Sequence, residues 1–347
     1  MNFARADEIM RQAVTDHAFP GGVLLVGQGE KVLFRRSYGR LGPGEAEPAV
    51  NEQTRFDIAS LTKPLVVGMI TLRALEAGKL CLWDKLGTFV DAPEDKRGIT
   101  IRQLLTHTAG FPGGFHLWRM TGDASLATEL LLGARLIAPP GTRVQYCCAG
   151  FLLLGQLLEC LYGQSLSDLA TQEVFWPLRM TRTGYLPAGD NIAPTERQAD
   201  GTLLRGTVHD ENARFLGGVA GNAGVFSTAD DLALFLQMLA AEGRLPGGTR
   251  YLSAPTVRLS ISNQTPELGH ARGLGFDLPG CEDGYTGDLF PRETVGHTGF
   301  TGASITLDPT DGLYVVLLSN RVCPSRENPA IYRVRRLVHN AVYAARG

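Results

Sequence analysis

Ser60 and Lys63 are three positions apart in the segment Phe56–Pro64, a spacing that could support nucleophilic chemistry. Residues at this spacing share one face of a helical turn, so the two side chains can exchange a proton. A serine hydroxyl is a weak nucleophile until an adjacent base takes its proton. A lysine can be that base when burial and nearby cations lower its pKa, whereas an arginine stays charged. The pair therefore predicts a serine nucleophile with a neutral lysine as its base.

The spacing is a weak signal by itself, because a Ser-x-x-Lys pattern arises by chance about once in a chain of this size. The chain has only five lysines, however, and Lys63 is the one with a serine three residues before it. Pro64 is tolerated only near the first turn of a helix, which places the helix start close to Ser60. Free backbone N–H groups and the positive end of the helix dipole then lie beside the serine oxygen.

Two further segments carry residues that could assist such a serine. Tyr146 lies on a predicted loop before a helix, where a nearby cation could lower its pKa and let it shuttle protons. The alternative is a tyrosine that only packs. Gly296–Gly302 is a glycine-dense strand edge that contains His297. Its glycines would allow a substrate backbone to approach, and its N–H groups could stabilise an oxyanion; the alternative is a bulge with an incidental histidine.

Taken together, the segments Ser60–Lys63, Tyr146–Cys148 and His297–Gly299 resemble the penicillin-recognising serine hydrolases in order and rough spacing. This family includes class C β-lactamases, D-alanyl-D-alanine carboxypeptidases with a His-Thr-Gly motif, and related esterases. The resemblance covers roughly residues 5 to 345. Three supporting stretches also match it: Leu104–Gly110, Phe175–Met180 and Gly224–Leu232.

The resemblance implies a role for each matched residue. Ser60 would be the nucleophile, Lys63 its base partner and Tyr146 the proton shuttle. His297 would take the place of a cation that orients Tyr146 and the substrate. The backbone N–H groups of Ser60 and Phe300 would form the oxyanion hole.

The predicted substrate-binding residues are Cys148, Thr298 and Gly299. The second motif of the family commonly ends in asparagine, where this chain has Cys148. The amide that would bind a substrate acylamide is therefore missing, and we expect esters to be preferred over β-lactams. The sequence predicts no metal ligands and no cofactor.

The order of elements predicts an α+β fold. A hairpin near Gly22 and three predicted strands, Gly273–Leu278, Gly302–Leu307 and Gly312–Ser319, would form one antiparallel sheet. A first helix and a closing helix would flank it. The mostly helical segment between them would be an insertion, as in the β-lactamase and penicillin-binding-protein fold. We expect one lobe from residues 1–59 with 251–347, a helical lobe from 60–250, and the active site in the cleft between them.

Composition excludes several other classes of protein. The chain has 347 residues, is 44% hydrophobic and carries a net charge of −2, without a basic block that would bind nucleic acid or a membrane. Its first twenty residues read as an amphipathic helix and not as a signal peptide, so we expect a cytoplasmic protein. Its six cysteines lack Cys-x-x-Cys spacing and are expected to be reduced thiols.

The sequence thus predicts a serine hydrolase that forms an acyl-enzyme through Ser60 and acts on a small ester or amide, preferably as a carboxylesterase. One alternative is a D-alanyl carboxypeptidase or a class C-like β-lactamase. Another is a non-catalytic sensor that is acylated once. His107 and Thr108 are expected to hold a loop together. The segment His209–Asn212 is expected to form a structural network, and the alternative is that it lines the cleft. The natural substrate and the oligomeric state stay open.

Overall fold

The computed structural model describes residues 1–279 and 284–346, and its centre is a five-stranded sheet. The strands lie in the order β2-β1-β8-β7-β6, and every neighbouring pair is antiparallel. The predicted antiparallel sheet is confirmed. In chain order the strands of the protein are β1 Gly21–Gln28, β2 Lys31–Gly39, β3 Phe56–Asp57, β4 Gly184–Tyr185, β5 Val225–Ser227, β6 Val295–Thr298, β7 Ser304–Leu307 and β8 Leu313–Ser319.

The helices account for the rest of the regular structure. Short π-helical turns at Lys63–Gly68 and Thr171–Phe175 and 3₁₀ turns at Ala59–Leu61, Leu86–Thr88 and Ala124–Leu126 accompany them. The α-helices are α1 Ala4–Thr15, α2 Met69–Glu76, α3 Glu94–Arg97, α4 Ile101–Leu105, α5 Leu117–Met120, α6 Ala127–Gly133, α7 Ala149–Tyr162, α8 Leu166–Ala170, α9 Glu211–Phe215, α10 Ala229–Ala240, α11 Ala254–Ile261 and α12 Ala330–Ala344.

Both faces of the central sheet are buried along β1, β6, β7 and β8, whereas the edge strand β2 is largely exposed. Alternate residues of a strand point to opposite faces. On one face, Leu24 and Leu317 pack with the terminal helices α1 and α12. On the other face, Val23 and Leu318 join the larger core formed by the helical region. The sheet therefore connects the two layers, which explains why β1 and β8 are almost continuously apolar.

A second, three-stranded sheet was not predicted from the sequence. In it β5 lies between β3 and β4. Its strands have only two or three residues each, too short for an alternating pattern to show. Strand β3 ends at Asp57, so this small sheet fixes the chain just before Ser60.

One predicted strand is wrong. The segment Gly273–Leu278 was expected to be a strand, but it forms only isolated bridges, from Asp277 to Gly296 and to Arg272. Gly275 has a φ of +84°, a left-handed conformation that interrupts an extended strand. The segment instead forms a tight loop against the edge of β6.

Cysteines in the described ranges are all free thiols: Cys81, Cys147, Cys148, Cys160 and Cys323. Cys281, the sixth, lies outside the described residues. Within residues 1–279 and 284–346, no group of three or more His, Cys, Asp or Glu side chains is arranged so that it could bind a metal ion. None of the helices in these ranges combines the length and the apolar character needed to span a bilayer.

Candidate active site

Ser60 and Lys63 meet as predicted from their spacing. The Ser60 hydroxyl lies in the turn that follows β3, and its Oγ is 3.0 Å from Lys63 Nζ. Lys63 is fully buried. Its Nζ also donates to the main-chain carbonyl of Asn222 at 3.0 Å and lies 3.7 Å from Cys148 Sγ. The lysine is thus held at three points beside the predicted nucleophile.

The expectation of a lowered Lys63 pKa is wrong. Burial does lower it, but interactions with the Cys148 thiol and the Tyr146 phenol, in their anionic forms, outweigh burial and raise the pKa above its ordinary value. The lysine is therefore mainly an ammonium group at neutral pH, and the Lys63–Tyr146 pair must lose one proton before it can accept that of Ser60. Burial raises the pKa of the Tyr146 phenol, and the charge of Lys63 lowers it. Burial has the larger effect, so the phenol pKa lies above its ordinary value. The predicted base is therefore described as the Lys63–Tyr146 pair and not as the lysine alone, because strongly interacting groups share their protons.

Tyr146 is brought to the serine by the loop before α7. Burial raises the pKa of its hydroxyl, interactions with Lys63 and Ser60 lower it, and Lys63 Nζ lies 5.0 Å from the centre of its ring. His107 packs on the same ring, with 4.5 Å between ring centres. His107 also accepts a hydrogen bond from Cys147 N at its Nδ1 and one from Gln145 N at its carbonyl. As expected, His107 holds a loop together, and that loop carries Tyr146.

His297 lies beside Tyr146, with 6.0 Å between the ring centres, but it is not a cation. Burial, reinforced by the charges of Lys63 and Arg272, lowers its pKa to about 3. Its Nδ1–H donates to the Thr298 carbonyl at 2.8 Å, which leaves Nε2 as an acceptor. Among the described residues this buried Nε2 has no partner. His297 is therefore a neutral hydrogen-bond acceptor at the position that the resemblance assigns to a cation, and its orienting role stays a prediction.

The predicted oxyanion donors lie on two segments that approach closely. Within residues 1–279 and 284–346, the N–H groups of Ser60 and Phe300 donate to no protein acceptor. Gly299 allows this approach, because a Cβ there would lie 2.4 Å from the carbonyl oxygen of Ile58. Thr298, Gly299 and Phe300 follow one another at the end of the edge strand β6 and line the same cavity as Ser60.

The cavity at the serine has a volume of about 270 Å³ and draws residues from both predicted lobes. Its wall contains three arginines and one carboxylate, Asp277. Sequence reasoning missed the arginines, because they are far from the motifs along the chain. The lining residues are Ser60, Tyr146, Arg272, Asp277, His297, Thr298, Gly299, Phe300, Arg321, Tyr332 and Arg335.

The arginines are buried and have little acidic compensation. Arg272 is paired with Asp277 at 3.5 Å. Arg321 donates to the carbonyl of Phe300 at 2.7 Å, and Arg335 donates to that of Gly299 at 3.0 Å. The Nε atoms of Arg272 and Arg335 have no partner among the described residues. Arg321 and Arg335 thus hold the Gly299–Phe300 turn, and all three arginines place positive charge at the wall of the cavity.

Cys148 lies closer to the lysine than to the substrate cavity. Its half-buried side chain contacts Lys63 and packs against the main core, and it is absent from the residues that line the cavity. Its part in substrate binding stays a prediction. His209 belongs to a structural network, as expected, because its ring lies 3.1 Å from Glu196, which also binds Arg326.

Comparison with known proteins agrees with this site. A family model described as Beta-lactamase matches residues 6–340. The N-acetylmuramyl-L-alanine amidase of Bacillus subtilis (strain 168) is 28% identical, over 90% of this chain and 81% of that protein. A protein of Escherichia coli (strain K12), provisionally named a D-alanyl-D-alanine carboxypeptidase, is 27% identical over 95% and 87%.

A solved structure shares the fold. It is described as EstCE1, a hydrolase with promiscuous acyltransferase activity, and it superimposes with a TM-score of 0.79. The two sequences are 24% identical, and the alignment covers 98% of each chain.

Proposed function

We propose, for a chain that belongs to the β-lactamase family of serine hydrolases, that Ser60 forms an acyl-enzyme with a small ester or amide. The observation that carries the proposal is the 3.0 Å contact between Ser60 Oγ and the buried Lys63 Nζ. A nucleophile, a proton acceptor and two preorganised N–H donors around one cavity are the parts that acyl transfer requires.

The reaction would proceed in two halves. Ser60 Oγ attacks the substrate carbonyl while its proton passes to the Lys63–Tyr146 pair in the form that has lost one proton, and the N–H groups of Ser60 and Phe300 bind the developing oxyanion. The tetrahedral intermediate collapses, and the leaving alcohol or amine departs with the proton returned by Tyr146. A water molecule then attacks the acyl-enzyme and gives one proton to the same pair. The pair returns this proton to Ser60 Oγ as the bond to the acyl group breaks and the acid leaves.

A fluorophosphonate probe tests the proposal directly. We expect one equivalent of label on the peptide that contains Ser60, and turnover of at least one substrate among p-nitrophenyl esters, nitrocefin and D-Ala peptides. A single burst of product without turnover would instead indicate an acylated sensor. Label on another residue, with Ser60 unmodified, would contradict the proposal.

Ester hydrolysis is proposed as the preferred activity because a thiol at Cys148 hydrogen-bonds only weakly. We expect Cys148→Asn to improve amide-bearing substrates by about 1–2 kcal/mol, roughly five- to thirtyfold in kcat/KM, because its amide can pair with theirs. Simple esters, which lack that group, should be unaffected. The measurement is the ratio of kcat/KM for a p-nitrophenyl ester to that for nitrocefin in both proteins. An unchanged ratio would show that position 148 does not read the substrate.

The arginine-lined cavity favours a second candidate, a D-alanyl carboxypeptidase. The three arginines Arg272, Arg321 and Arg335 face a space that holds one carboxylate, Asp277. A substrate with a free carboxylate would compensate this charge, and the Escherichia coli relative is named for such a substrate. A charge-assisted hydrogen bond contributes about 1.5–3 kcal/mol, roughly ten- to hundredfold.

The discriminating experiment compares one D-Ala-D-Ala peptide with a free and with an amidated C-terminus. A carboxypeptidase should cleave the free peptide at least about tenfold better. Equal or absent turnover of both peptides, beside rapid turnover of neutral esters, would leave the esterase as the function.

A further inference from the structure

Asp57 is a buried carboxylate that the reaction proposed above does not use. It is only 2% exposed and lies at the end of β3, three residues before Ser60. Within residues 1–279 and 284–346, no lysine, arginine or histidine forms an ion pair with it. A carboxylate without a cation is costly to bury, so its hydrogen bonds should explain its presence.

The two carboxylate oxygens bind different parts of the chain. Oδ1 accepts the N–H of Ala59 at 2.8 Å, and Oδ2 accepts the N–H of His209 at 2.7 Å. The first contact is a local turn of a kind that aspartate commonly forms. The second joins residues 152 apart in sequence, so local turn formation does not account for it.

The contact with Ala59 supports an unfavourable backbone. Ala59 has a φ of +46°, a left-handed conformation that non-glycine residues seldom adopt and that costs of order 1–3 kcal/mol. This residue immediately precedes Ser60. Its conformation sets the direction of the Ser60 N–H, which is the first oxyanion donor.

The other contacts lead to the second oxyanion donor. The ring of His209, whose N–H binds Asp57, stacks on the ring of Phe300 with 5.6 Å between centres. The main-chain carbonyl of Asp57 also accepts the Thr301 hydroxyl at 2.6 Å. Thr301 directly follows Phe300 in the chain. Asp57 therefore fixes Phe300 in two ways, through the His209 ring that stacks on it and through the hydrogen bond to Thr301.

We propose that Asp57 is a positioning residue that holds the N–H groups of Ser60 and Phe300 in register for the oxyanion. This inference rests on the proposed acyl-enzyme function. Asp57 touches no reacting atom, and it acts through Ala59, His209 and Thr301. A misplacement of about 1 Å in such a site can reduce the rate about a hundredfold.

The environment of Asp57 gives the proposal a pH signature. Burial, with a contribution from Asp210, raises the pKa of Asp57 to about 6, against the two N–H bonds that lower it. Below this pH a proton occupies one acceptor oxygen, so one N–H contact is lost and the rate should fall. Other titratable groups near Asp57 would not cause a change of rate near pH 6. Burial lowers the pKa of His209, and the charge of Arg326 lowers it further. The pKa of Glu196 is about 2 and that of His297 is about 3.

The test compares Asp57→Asn with Asp231→Asn, using a p-nitrophenyl ester. Asp231 is a matched control, because it too is buried, has a raised pKa and accepts a backbone N–H, that of Arg182 at 2.8 Å. We expect Asp57→Asn to lower kcat about a hundredfold with little change in KM and to remove the step near pH 6. Asp231→Asn should leave kcat and its pH profile unchanged.

A second variant covers the case in which Asp57→Asn does not fold. Thr301→Val removes only the hydroxyl that binds the Asp57 carbonyl, and it should lower kcat severalfold at unchanged KM. Wild-type kcat and pH profile in a folded Asp57→Asn, or wild-type kcat in Thr301→Val where Asp57→Asn does not fold, would overturn the inference. If fluorophosphonate does not label Ser60 in the wild-type protein, the proposed function fails instead, so the two failures can be told apart.

Discussion

Replacing Ser60 with alanine should lower kcat by at least about ten-thousandfold, to the residual rate that the oxyanion donors and substrate binding alone can support. The hydroxyl is the only atom removed, and it is the one that Lys63 contacts at 3.0 Å. Alanine is well tolerated in a helical turn, so the fold should survive. The measurements are ester hydrolysis, fluorophosphonate labelling and the thermal midpoint of the purified variant.

The control for Ser60→Ala is the Cys148 thiol, a second side chain beside Lys63 that could act as a nucleophile. Cys148 lies within 3.7 Å of Lys63 and could in principle react with the probe. Cys148→Ala should keep full labelling at Ser60, and Ser60→Ala should show none anywhere. Persistent labelling and hydrolysis in Ser60→Ala would assign the nucleophile to a different residue.

Replacing Lys63 should have the next largest effect. Lys63→Met retains much of the buried volume but removes the amine, and we expect kcat to fall by about 10²–10⁴, the usual contribution of a general base. Lys63→Arg keeps a positive charge but cannot give up its proton, so it should be nearly as inactive. An arginine variant with the wild-type rate would show that only the charge is required.

The raised Lys63 pKa sets the direction of the alkaline pH dependence. The ammonium form dominates at neutral pH, and raising the pH removes protons from the Lys63–Tyr146 pair. The rate in wild type should therefore climb further on the alkaline side, above the step near pH 6 assigned to Asp57. Lys63→Met should lose this alkaline rise, and its persistence in Lys63→Met would transfer the base function to another group.

The motifs were readable from sequence because their geometry is local. Ser60 and Lys63 meet through a single helical turn, whose spacing is the same in any protein. Gly299 was recognised as part of a glycine-dense edge, and the structure shows the close approach to the Ile58 carbonyl that excludes a side chain. The alternation of long apolar strands and amphipathic terminal helices likewise predicted the main sheet.

The small sheet and the loop at Gly275 were missed for an equally physical reason. Strands of two or three residues carry no period, and their pairing depends on segments far away in the chain. Asn222 is another example, since it contributes a main-chain carbonyl to Lys63 and its residue type gives no sign of this.

The charges of the site were decided only by tertiary structure. The sequence alone determined which side chains could react, namely Ser60, Lys63, Tyr146 and His297, and that they would belong to one site. Whether each carries a proton depends on burial and on neighbours from distant segments, which reversed the expectation for Lys63 and made His297 neutral. Arg335 shows the same limit, because it reaches the cavity from the last helix, α12. A pKa is set by the local dielectric and by charges in space, and neither is encoded in sequence spacing.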